Sequence, residues 1–178
     1  VALPMSAPGS AARIRSFPPV SRADARVLVL GSMPGKMSLQ QQQYYAHPQN
    51  AFWKIMGELV GAAPALPYQE RLQRLCDSGI ALWDVLASCE RASSLDAHIS
   101  GESANDFASF FAQHPHITRV FFNGSKAEQS FRKFVRERQA LPPLHFQRLP
   151  STSPAHAGMR YADKLAAWRA ILRHPAPL

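Results

Sequence analysis

Four short apolar-rich runs, alternating with segments of helical period, dictate how this chain can fold. Residues 27–30 read Val-Leu-Val-Leu without a polar interruption and end at Gly31, the pattern of a strand buried on both faces. Comparable runs follow at residues 79–82, 118–122 and 144–148. Residues 51–60, 68–77, 104–113, 125–138 and 161–172 place apolar side chains three and four positions apart, as helices require. That order predicts an α/β fold, a three-layer α/β/α sandwich around a short, mostly parallel four-stranded sheet. With 178 residues the chain has room for one such domain. Residues 1–22, rich in Pro, Ser and Ala and without a period, are expected to form a loosely ordered lead-in, and residues 23–178 a single domain.

An open sheet of this kind binds ligands outside the carboxyl ends of its strands. The chemistry should then sit in the loops after Leu30, Leu82, Phe122 and Arg148, which begin GSMPGK, WDVLAS, NGSKAE and LPSTSP. Composition narrows what those loops can take. The 20 Lys and Arg against 12 Asp and Glu leave a net charge of +8, which draws a protein to polyanions and makes nucleic acid the leading partner class. No apolar run approaches the roughly 20 residues of a membrane span, and the first residues carry no signal-like apolar stretch, so a cytoplasmic location away from membranes is expected. Cys76 and Cys89, with twelve residues between them, cannot by themselves supply an iron–sulfur cluster or an all-cysteine zinc site. His114 and His116 flank Pro115 with no carboxylate near in sequence, and neither a metal nor another cofactor is expected.

Spacing argues against two familiar chemistries. A phosphate-cradling P-loop needs four residues between its glycine and its Gly-Lys-Ser/Thr, whereas the first loop is one residue short and Met37 separates Lys36 from Ser38. Gly31, Pro34 and Gly35 instead suit a tight turn that brings backbone N–H groups close to a ligand. No GxSxG elbow follows a strand, which argues against a Ser-His-Asp hydrolase.

Beyond the turn lies Tyr44-Tyr45-Ala46-His47-Pro48-Gln49-Asn50-Ala51-Phe52-Trp53-Lys54-Ile55-Met56. The string AHPQNAFWKIM, with GSMPG upstream, resembles the uracil-DNA glycosylase superfamily, in particular its mismatch-specific branch, whose pattern runs GINPG and then AHPxNxFWK. The resemblance implies that the turn residues Gly31, Ser32, Met33 and Gly35 line the base pocket. It also implies that Tyr45 stacks its ring on a flipped base. In that branch the third residue of GINPG is a water-positioning Asn, and here it is Met33, which can neither orient nor polarise water. The likeness is therefore closer to the hypoxanthine-DNA glycosylase branch, in which an Asn of the NxFW segment is implicated, and that residue is Asn50. Its alternative role is the N-cap of the helix beginning at Ala51.

Asp84 falls at the end of a strand, where related glycosylases read the base edge with an Asn. Hypoxanthine and uracil each present a ring N–H beside a carbonyl, and a carboxylate accepts from the first but cannot donate to the second. The donors would be backbone N–H groups of the first turn and the Ser32 hydroxyl. Asp84 has an alternative as a turn cap or as a partner of Arg91, while Glu90, Arg91 and Asp96 read as solvated or DNA-facing charges. Asn123-Gly124-Ser125-Lys126 opens a helix, and Lys126 is a candidate phosphate contact. The segment 149–157, LPSTSPAHA, resembles the superfamily's proline-and-serine loop that enters the minor groove, with Ser151, Ser153 and His156 as candidate DNA contacts. Relatives often insert a leucine wedge where this chain has Ala155 and His156.

The implied activity is that of a monomeric, monofunctional DNA glycosylase acting in base-excision repair on DNA with a deaminated or mispaired base. It would flip the base out, hydrolyse the N-glycosidic bond and leave an abasic site. Met33 keeps a second expectation open, a binding module that recognises damaged DNA without releasing the base. A third, a nucleotide-binding or phosphate-ester enzyme using GxxPGK, is weakened by the broken spacing.

Overall fold

The structure is a computed structural model, described here for residues 13–92, 95 and 98–173. The elements are β1 (Arg13–Arg15), β2 (Val27–Gly31), α1 (Lys36–Gln41), α2 (Phe52–Val60), α3 (Tyr68–Asp77), β3 (Ile80–Asp84), β4 (Leu86–Arg91), β5 (Ile99–Ala104), α4 (Phe107–Gln113), β6 (Arg119–Asn123), α5 (Ser125–Phe131), β7 (His145–Leu149) and α6 (Tyr161–Trp168). A π-helical turn over Arg132–Arg136 prolongs α5, and a 3-10 turn over Arg169–Leu172 prolongs α6.

Strands β3, β2, β6 and β7 form a four-stranded sheet in that order, parallel throughout. Side chains alternate across a strand, so an all-apolar β2 serves two cores at once. Leu28, Leu30, Val120 and Phe122 face one core, with Phe107, Phe110 and Phe111 of α4 and Phe131 of α5. Val27, Val29, Leu82 and Phe121 face the other, with Phe52, Ile55 and Met56 of α2, Leu75 of α3 and Trp168 of α6. Helices on both faces of one sheet are the three layers that the alternation predicted.

A second sheet was not anticipated. The segment expected to be a long loop after residue 82 instead forms β4 and β5, an antiparallel pair that β1 joins in the order β1-β4-β5. Leu86, Cys89 and Ile99 seat this sheet on the α4 and α5 side of the molecule. Part of the expected lead-in is also ordered. Arg13–Arg15 pairs with β4, Val20 bridges Leu82, and the Trp83 indole donates to the Phe17 carbonyl at 3.1 Å. Buried Trp and Tyr side chains seek a partner for their polar ends, and here the N-terminal backbone supplies it. Residues 1–12 and 96 lie outside the described residues. Among the described residues no helix is long and apolar enough to cross a membrane.

Candidate active site

The carboxyl ends of β2, β3, β6 and β7 open into one cavity of about 530 Å³, within the ~300–1,000 Å³ range of ligand sites. The candidate base-pocket and catalytic residues all line it: Gly31, Ser32, Met33 and Gly35 from the first loop, Tyr45 and Asn50 beyond them, and Asp84 from β3. Lys126 from α5 and Ser151, Ser153 and His156 from the last loop complete the wall.

The floor is set by close approach. A Cβ on Gly31 would lie 2.5 Å from Asp84 Oδ1 and 2.7 Å from the Tyr45 hydroxyl, so both groups converge over a residue that must lack a side chain. Asp84 is 3% exposed, with β3 holding its backbone beside Gly31. Burial, then the neighbouring Asp84, push the Tyr44 phenol far above its ordinary value, so that residue serves as a neutral anchor; its hydroxyl donates to the Pro18 carbonyl at 2.8 Å.

Tyr45 takes a φ of 53°, in the left-handed region that a bulky side chain seldom enters. The distortion is held from both sides: Ser38 Oγ accepts from the next backbone amide, Ala46 N, at 3.1 Å, and the Tyr45 ring packs on Phe52 with centroids 4.2 Å apart. A fixed aromatic ring at a cavity wall is a platform for a planar ligand. Asn50 Oδ1 accepts from Phe52 N at 2.9 Å, at the mouth of α2, which starts at Phe52 rather than Ala51. With the oxygen engaged there, the Asn50 side-chain NH₂ is the group the residue can offer to the cavity.

The last loop is bound to the others through Thr152, 1% exposed, which sequence reading passed over. Asn123 Nδ2 donates to Thr152 Oγ1 and Thr152 N donates to Asn123 Oδ1, each at 2.9 Å, while Ala51 N donates to the Thr152 carbonyl at 3.0 Å. One threonine thus joins the ends of β6 and β7 to the start of α2. Beyond it, Lys164 of α6, 6% exposed, donates Nζ to the His156 carbonyl at 2.7 Å. Burial lowers its pKa. Neither residue carries a distinguishing sequence signal, since Thr152 lies in a serine-rich loop and Lys164 in a helix with several polar positions.

Two charges sit differently from their sequence reading. Lys126 lines the cavity but pairs with Glu102 of β5 at 3.0 Å. Arg91, read as solvated or DNA-facing, is half-buried and donates Nη2 to the Pro34 carbonyl. Leu95, 47% exposed, reaches the cavity rim from the connection between β4 and β5. Among the described residues no group of three or more His, Cys, Asp or Glu side chains could hold a metal ion.

A cavity at the carboxyl ends of a parallel sheet, with a rigid ring beside a buried carboxylate and a serine-rich loop, is organised to enclose a planar polar ring. The match of residues 18–174 to the family model for the uracil DNA glycosylase superfamily defines the class: the chain belongs to that superfamily and is a DNA glycosylase. Within the superfamily it groups with the hypoxanthine branch. It is 33% identical to a hypoxanthine DNA glycosylase of Methanosarcina acetivorans over 165 residues, 90% of this chain and 98% of that one. A hypoxanthine DNA glycosylase of Methanosarcina barkeri is 38% identical over 114 residues, 64% of this chain and 72% of the relative. A solution NMR structure of a candidate uracil DNA glycosylase from Methanosarcina acetivorans superposes with a TM-score of 0.77 at 32% identity, covering 92% of this chain and 98% of that one.

Proposed function

We propose that this protein removes hypoxanthine, and uracil by the same edge chemistry, from DNA by hydrolysing the N-glycosidic bond, and that it leaves an abasic site. The observation that carries this reading is the convergence of Tyr45, Asp84 and the Gly31–Gly35 turn on one enclosed volume.

The target nucleotide leaves the duplex at a cost of a few kcal/mol, least when mispaired. Stacking of the base on Tyr45 returns roughly 1–3 kcal/mol. The Asp84 carboxylate accepts from the ring N–H, while the Ser32 hydroxyl and the N–H groups of the turn donate to the adjacent carbonyl. As the bond from the sugar breaks, negative charge builds on the base and positive charge on the sugar. Asn50 donates its NH₂ to the oxygen of the water that bonds to C1′, and the proton this water loses ends on the departed base, which leaves a neutral base and an abasic sugar. Ser151, Ser153 and His156 hold the flanking phosphates.

The test is release of the base from duplexes carrying hypoxanthine or uracil, followed by alkaline cleavage of abasic sites. Strand scission with hypoxanthine DNA is expected, and its absence with both bases overturns the proposal. Borohydride should trap no covalent adduct, in keeping with a monofunctional reaction. Asn50→Ala should lower single-turnover excision by about 10²-fold or more. Asn50→Asp keeps the contact to Phe52 N but removes the NH₂, so an equal loss in that variant separates water positioning from helix capping.

A further inference from the structure

Three carbonyls of the base-binding turn accept from backbone amides, two at the β3–β4 junction and one in α1. Gly31 O accepts from Val85 N at 2.8 Å, Ser32 O from Leu86 N at 3.2 Å and Gly35 O from Leu39 N at 3.0 Å. Pro34 O differs, because its donor is a cation, the guanidinium of Arg91 on β4. In a trans peptide the N–H points opposite to the C=O. The peptide that turns its Pro34 carbonyl to Arg91 therefore aims the Gly35 N–H away from the second sheet. Pro34 and Gly35 both line the cavity.

We infer that Arg91 is a positioning residue for base release: its charge, acting through the Pro34–Gly35 peptide, strengthens the Gly35 N–H as a donor to the departing base. A hydrogen bond to the carbonyl of an amide polarises the whole unit, and a charged donor does so more than a neutral one. When the C1′–N9 bond of deoxyinosine breaks, the bonding pair leaves with the base, and the ring carbonyl oxygen takes up part of that charge. A stronger N–H opposite that oxygen favours the transition state over bound substrate, so the effect belongs in kcat and not in KM. This inference rests on the glycosylase reading and adds a residue that touches neither base nor phosphate.

The experiment compares single-turnover excision from duplexes containing 2′-deoxyinosine and 8-aza-2′-deoxyinosine, whose departing anion is the weaker base. In Arg91→Met the rate on deoxyinosine should fall about 10- to 100-fold, and that on the aza base several-fold less, because a better leaving group needs less help. KM and the slope of log KM against log salt concentration should stay as in the parent. An unchanged rate, or equal losses on the two bases, overturns the inference. A raised KM with the salt slope reduced by about one also overturns it, since that marks a direct phosphate contact. Should Arg91→Met not fold, Arg91→Lys and Arg91→Gln decide, since both retain a donor for Pro34 but only lysine is charged. Lys must exceed Gln on deoxyinosine by more than on the aza base, and equality overturns the inference. If the parent protein releases neither base, the glycosylase reading itself fails, a result separable from all of these.

Discussion

A methyl group on Gly31 would meet Asp84 Oδ1 at 2.5 Å and the Tyr45 hydroxyl at 2.7 Å, closer than real Cβ contacts come. Gly31→Ala must displace one or both of them, and overpacking of this kind costs about 1–3 kcal/mol. The expected result is a fall in melting temperature of several degrees, together with excision reduced about 10²-fold or more, because a displacement of 1 Å at a reacting group has that effect. A fully active Gly31→Ala protein would place the base elsewhere. The first loop was legible in the sequence because its residue types are not interchangeable on packing grounds: the turn glycines, the paired tyrosines and AHPQNAFW form an ordered pattern. Thr152 and Lys164 were not legible. Each is polar and sits in a segment where polar residues are ordinary, and their burial arises only when distant loops meet.

At the scale of elements, the second sheet explains why Lys126 lies where it does. Glu102 of β5 holds it at 3.0 Å, with the glutamate side chain 11% exposed. Under the proposed function, a DNA phosphate brought to Lys126 would compete with that carboxylate. Glu102→Gln should therefore tighten binding to a hypoxanthine duplex and steepen the log–log salt dependence by up to one phosphate contact, as read by fluorescence anisotropy. The parallel sheet was legible because β2, β3 and β6 each carry an unbroken apolar stretch, whereas β7, His-Phe-Gln-Arg-Leu, buries only Leu149 fully. The second sheet was not, for a physical reason. The β4–β5 pairing shifts register between Leu86 and Ser88 and again between Ser88 and Glu90, so the period of two that marks a strand is broken. Strand β1 has only three residues, and the six-residue α1 falls below the length at which a helical pattern can be seen. In α6, Lys164 gives a test by pH. Its lowered pKa means the unfolded chain binds a proton that the folded chain has released between the folded value and the ordinary 10.5. Stability must then rise with pH across that window. The unfolding free energy of the parent, measured relative to Lys164→Met by urea titration, should increase from neutral toward alkaline pH.

For the molecule as a whole, a net charge of +8 and a serine-rich rim around a cavity make association with DNA electrostatic before it is specific. Affinity for an undamaged duplex should drop roughly tenfold or more between 50 and 200 mM salt. The preference for a damaged duplex over an undamaged one should change far less, because base contacts release few counterions. The hydrogen bonds from Val85 N to Gly31 O and from Leu86 N to Ser32 O join the cavity-lining turn to the point where the chain passes from one sheet into the other. Those two amide protons are built-in reporters. Their exchange with solvent deuterium requires the turn to lift off its support, so a bound base that holds the turn in place should slow both, while amides on the far side of the parallel sheet keep their rates.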